Sequence, residues 1–160
     1  MNHFFYYLLL TALLALIPAE TNEPTWITME QAQELSAHDK KPLFVFVEAE
    51  WCGICKRMRR EVFPEPEVGR MLAEGYHLVA IDLDSNEEIL FNSKNITQRG
   101  FARSMDVMST PTILFIDSKG SEMGRHIGFL NSSNFHRLLA YVISDEFGKM
   151  DINHLENELK

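Results

Sequence analysis

Residues 43–56 read LFVFVEAEWCGICK, and this stretch decides the fold. Leu43 to Val47 is a run of apolar β-branched and aromatic residues with no alternation, the pattern of a strand buried on both faces. Trp51-Cys52-Gly53-Ile54-Cys55 follows at the strand's end, and Lys56 to Val62 continues as a basic helical turn. Two thiols three residues apart at a helix start form a demanding arrangement. The first sits where unpaired backbone N–H groups and the helix dipole favour an anion, which lowers its pKa. The second lies within the same turn, close enough to attack a mixed disulfide made by the first. Cys52 is therefore the candidate nucleophile and Cys55 the resolving thiol. Lys56 and Arg57 add positive charge nearby, screened where they face solvent.

The chain of 160 residues has 2 cysteines and 6 histidines. A zinc site needs four ligands; there is no second cysteine pair, and His3, His38, His77, His126, His136 and His154 show no paired metal-ligand spacing. No metal is expected. A bridge across two intervening residues closes a tiny loop, so it contributes little chain entropy to stability. Redox reactivity explains the pair best. Half a metal site and a small structural bridge are the alternatives, and with them a competing function: a metal-delivery or redox-sensing module using the same thiols.

Upstream, Thr28 with Gln31 forms a capping box for a helix from Met29 to about His38, which Lys40-Lys41-Pro42 ends. Residues 20–27 read as a polar linker. Downstream, Pro64 and Pro66 interrupt the helix after the cysteines, and Glu67 to Glu74 is its continuation or a second short helix. Tyr76 to Leu83 is a strand, Asp84 to about Ile96 a polar segment without assigned structure, and Thr97 to Met105 a helix. Thr112 to Ile116 and Ser121 to Ile127 are strands joined by the turn Asp117-Ser118-Lys119-Gly120, hence a hairpin. Asn131 or Ser132 caps a closing helix to about Ser144, with Phe135, Leu138, Leu139 and Val142 inward. A β-α-β unit followed by a hairpin and a helix gives an α/β fold: a central mixed four-stranded sheet with helices on both faces. The domain is expected over 28–147, with a polar tail at 148–160.

The net charge of −8 and pI near 5.2 speak against nucleic acid as a partner. Phe4 to Ile17 reads FFYYLLLTALLALI without a charge, followed by Pro18-Ala19. At about 14 residues the run is shorter than the roughly 20 a membrane span needs, and it matches a signal-peptide core. Residues 1–19 are expected to be a cleaved signal peptide or an uncleaved anchor. Either places the domain outside the cytoplasm, secreted or periplasmic.

Trp51-Cys52-Gly53-Ile54-Cys55-Lys56 after a buried strand resembles the thioredoxin active site. Thr110-Pro111-Thr112 before an apolar strand is similar to the family's cis-proline loop, and Asp117 to Gly120 to its hairpin turn. The likeness runs from about Pro42 to Tyr141. The stretch CKRMRREVFPEPEV also resembles the secreted branch that includes the SoxW-type proteins. This resemblance implies a thioredoxin fold and a protein-disulfide oxidoreductase, more a reductase than an oxidase, needing no cofactor. It implies protein or small-thiol disulfides as substrates and a membrane electron donor to recharge the pair. It also implies that Pro111 is cis beside the cysteines, and that Thr110 offers its backbone to an extended substrate near Trp51. The chain departs from the family at Gly53-Ile54, between the cysteines, and at Phe46, where thioredoxins carry a buried Asp. Phe44, Phe46 and Glu48 share a strand face. Glu48 is thus the candidate proton acceptor for Cys55, or else an exposed residue at the strand end. Met58, Met71, Met105, Met108 and Met123 are expected to fill core gaps.

Overall fold

The computed structural model describes residues 24–144; the expected leader at 1–19 and tail at 148–160 lie outside the described residues. Along the chain come α1 (Met29–Asp39), β1 (Leu43–Glu48), α2 (Gly53–Glu61), α3 (Pro66–Gly75), β2 (His77–Asp82), β3 (Glu88–Phe91), β4 (Lys94–Thr97), α4 (Gln98–Ser104), β5 (Thr112–Ile116), β6 (Glu122–Ile127) and α5 (Ser132–Val142). The main sheet has the order β2-β1-β5-β6. β1 pairs parallel with β2 and antiparallel with β5, and β5 antiparallel with β6, so the sheet is mixed. No helix among the described residues is long and apolar enough to cross a membrane.

The continuous apolar run of β1 is explained by its position. Phe44 and Phe46 enter one core with Met58 of α2, Leu72 of α3 and Phe135 of α5. Leu43, Val45 and Val47 enter the other with Met29 and Ala32 of α1 and Phe101 of α4. A strand covered on both faces has no polar side to show in its sequence. The capping box of α1 is present, with Gln31 N–H donating to Thr28 and Thr28 N–H to the Gln31 side chain. Asn131 caps α5, whose inward residues Phe135, Leu138, Leu139 and Val142 are buried. Tyr76, just after α3, donates its hydroxyl to the Leu139 carbonyl at 2.5 Å and so ties α3 to α5.

Three features differ from the sequence reading, and one alternative it leaves open is decided. The polar segment after β2 contains the β3–β4 hairpin, turned by Asn92 and Ser93 at positive φ. Its strands are four residues long and carry polar residues, so alternation gave no signal. α1 supplies what a third strand would: Glu30 accepts from Leu90 N–H, and Gln33 bonds both Asn92 N–H and the Leu90 carbonyl. Across from this turn, Gly120 sits at φ +79°, a conformation that favours glycine, and its carbonyl accepts from the Asn92 side-chain amide at 3.3 Å. Of the two readings for the segment after Pro64, the second holds: it is a separate helix, with Pro66 in its first turn where a missing N–H is harmless. Met108 is 86% exposed, so it fills no core gap; Met58 is buried, and Met71, Met105 and Met123 pack at the core margins.

The third difference concerns the expected linker. Trp26 bridges to Leu78 of β2, Ile27 N–H donates to the Leu78 carbonyl, and the indole packs against Phe44, Phe46 and Phe63. An aromatic within a short polar stretch has no period to betray its burial, and only the tertiary contact reveals it. Trp26→Ala should therefore lower the unfolding free energy by about 2–3 kcal/mol, as for a partly buried aromatic. A linker residue would change it by less than about 0.5 kcal/mol. Urea denaturation followed by circular dichroism separates the two.

Candidate active site

β1 ends at Glu48, and the chain turns through Ala49, whose carbonyl accepts the Cys52 N–H at 3.0 Å. Cys52 is the N-cap of α2, with extended backbone at φ −75° and ψ 92°. Its sulfur accepts the Cys55 N–H at 3.1 Å, the position a capping oxygen would hold. Cys52 and Cys55 are joined in a disulfide, with Cα atoms 5.3 Å apart. Cys52 keeps 4% of its surface exposed and Cys55 none, so attack from outside reaches only the first sulfur. When the bridge opens, a thiolate at Cys52 would face the N-terminal end of a helix with no acidic residue in its first turn. Arg57, close by, pairs with Glu61 and stacks over the Phe129 ring.

The loop before β5 reaches the same end of the sheet. Because β1 and β5 are antiparallel with Val47 opposite Thr112, the chain leaving β1 toward Cys52 and the chain entering β5 through Pro111 emerge side by side. The Thr110–Pro111 bond is cis, as the resemblance implies, and Pro111 is buried. The Pro111 carbonyl accepts Gly128 N–H at 2.9 Å. Thr110 Oγ1 is buried without a hydrogen-bond partner among the described residues. Around the pair stand apolar side chains that face solvent: Trp51 is 67% exposed and Ile54 52%, and Met108 extends from the loop. Trp51 is not loose. Its indole N–H donates to Asp84 Oδ2 at 2.7 Å, which anchors the ring over the loop after β2.

Glu48 lies on the strand face that the sequence assigns to it, toward α2. Its side chain is about one-fifth exposed, and both oxygens are held by Arg59 of α2: Nε reaches Oε2 at 2.8 Å and Oε1 at 3.1 Å, and Nη2 also bonds Oε1. Arg59 lies one turn beyond Cys55, and its guanidinium stacks over Trp26 at 4.2 Å and Phe46 at 5.4 Å. A carboxylate and a guanidinium thus close the base of the active helix where Phe46 supplies no charge. The sequence reading missed Arg59, Asp84 and Met108. The RMRRE pattern of α2 held a signal for the first, since a basic residue one turn after Cys55 faces the same way as the second thiol. Asp84, 33 residues from Trp51, carried none.

A sequence profile of the thioredoxin-like domain family matches residues 29–143. The thiol:disulfide interchange protein DsbD of Yersinia enterocolitica is 32% identical over 110 residues, which is 67% of this chain and 18% of that protein. The chain therefore spans less than one-fifth of that relative's length. A thioredoxin from Thermus thermophilus superposes with a TM-score of 0.62 at 26% identity, covering 77% of this chain and 88% of its own. The C-terminal domain of Neisseria meningitidis DsbD in the reduced form gives a TM-score of 0.56 at 21% identity, over 70% and 91% of the two chains, a likeness of fold alone. Joined to a disulfide capping α2, these findings show that the chain belongs to the thioredoxin-like domain family and carries a Cys-x-x-Cys pair at Cys52 and Cys55.

Proposed function

We propose that this domain works outside the cytoplasm as a reductase of protein disulfides, recharged by a dithiol donor at the membrane. The observation that carries the reading is Cys52 at the N-cap of α2 with its partner sulfur sealed behind it. The reduced pair reacts in two steps. The Cys52 thiolate attacks one sulfur of a substrate disulfide, forming a mixed disulfide and expelling the other substrate sulfur as a thiolate that takes up a proton. Cys55, once deprotonated, attacks the Cys52 sulfur; the Cys52–Cys55 bond forms and the second substrate thiol leaves. Two electrons and two protons pass to the substrate. Support for the reducing direction comes from the DsbD relatives, and support for a location outside the cytoplasm from the apolar stretch 4–17. A donor is required because an oxidising compartment would leave the pair spent.

Substrate is held, in this reading, as an extended strand against the backbone of Thr110, beside Pro111 and the exposed Trp51 ring. Glu48 serves the second step. A buried thiol gives up its proton slowly without a base. Glu48 is the carboxylate on the β1 face toward α2, and it is held by Arg59, which lies one turn beyond Cys55 in that helix.

Two measurements test these roles. Cys55→Ser should accumulate mixed disulfides with substrates under thiol-trapping conditions, whereas Cys52→Ser should accumulate none. Equal trapping by both variants, or trapping through Cys55 alone, contradicts the assignment. For Glu48, stopped-flow kinetics of the two half-reactions across pH should show Glu48→Gln slowing mixed-disulfide release about a hundredfold or more, the lower end of general-base effects, with the first attack little changed. If release keeps its wild-type rate and pH profile, Glu48 only anchors α2 through Arg59.

A further inference from the structure

A groove opens beside Trp51, with a volume of about 610 Å³, lined by Leu83, Asp84, Arg99, Arg103, Val107 and Met108. It lies along the loop that leads from α4 to Thr110, so a strand laid on that loop passes its mouth. Its floor is apolar, from Leu83 and the buried Val107, with the 86% exposed Met108 at the rim. Its wall carries charge of both signs, with the positive in excess. Two arginines, Arg99 and Arg103, stand here. The one carboxylate in the lining, Asp84, is already engaged by the Trp51 indole N–H. Arg99 is fixed by its bond to the Asp84 backbone carbonyl. Arg103 is exposed and makes no ion pair among the described residues. Arg103 is therefore a cation with donors to spare at the edge of the substrate path.

We propose that this groove selects substrates with an acidic side chain within two residues of the target cysteine, and that Arg103 is the residue that reads it. The planar guanidinium suits a carboxylate through paired N–H donors, while Met108 and Leu83 take the apolar neighbour. The inference rests on the disulfide-reductase reading and names its substrate class. It gives Arg103 a specificity role, apart from the chemistry at the two sulfurs.

The test uses the reduced protein and short peptides carrying one cysteine as a disulfide with 2-thiopyridine, alike except for Glu, Gln or Lys two residues either side of that cysteine. Attack by Cys52 joins it to the peptide sulfur and releases pyridine-2-thione, whose absorbance gives the rate. The Glu peptide should react about fivefold faster than the Lys peptide, the scale of an exposed ion pair, and the ratio should shrink as salt is added. Arg103→Gln should bring the ratio near one, Arg103→Glu should invert it, and Arg103→Lys should restore most of it. Equal rates for the three peptides with the wild-type protein, or a preference unmoved by Arg103→Glu, overturn the proposal. No release of pyridine-2-thione from any peptide would instead overturn the reductase reading, and the proposal with it.

Discussion

β1 is bonded to β2 on one edge and to β5 on the other, while its side chains fill two separate cores. A strand held on four sides cannot shift without unpairing the sheet, so the point where it ends is fixed. Cys52 is four residues beyond that end, at the N-cap of α2, and the cis loop enters β5 beside it. The two halves of the site, sulfur and substrate-binding loop, are thus positioned by one strand. The exchange chemistry itself asks for little more: a thiolate where N–H groups point at it, a second thiol within the same turn, and a path for one substrate sulfur at a time.

Charge is arranged differently at each side of this centre. The first turn of α2 carries no acid. Below it, Glu48 and Arg59 form a pair stacked on Trp26 and Phe46. A lone buried carboxylate at Phe46 would carry a heavy desolvation cost; the pair brings both signs to the helix base at a place still reached by water. It also joins three parts of the chain, since Trp26 lies before α1, Glu48 ends β1 and Arg59 belongs to α2. Loss of any one member should loosen the helix that carries both cysteines.

The elements legible in the sequence are those with a strong local signature. LFVFV announced a doubly covered strand, Thr28 and Gln31 a capping box, and Phe135 to Val142 an amphipathic helix, and each folds as its pattern requires. The cysteine pair was legible because its spacing and its place after a strand both bear on one chemistry. What was not legible depends on partners distant along the chain. The β3–β4 hairpin is held by Glu30 and Gln33 of α1, about 60 residues away, and Trp26 by rings from three other segments. Strand period alone puts Glu48 on the face it occupies, and RMRRE puts a basic residue on the matching side of α2, but their pairing across 11 residues is a tertiary contact.

The reduction potential of the Cys52–Cys55 couple tests the central claim most directly. Equilibrating the full chain in graded thiol–disulfide buffers and following the fraction of trapped free thiol gives its value. A domain that reduces substrate disulfides should be poised near the thioredoxin range, about −270 mV, and in any case below about −200 mV. A value near −120 mV would make it a donor of disulfides and contradict the account. Failure of the bridge to exchange at all would make it a structural link.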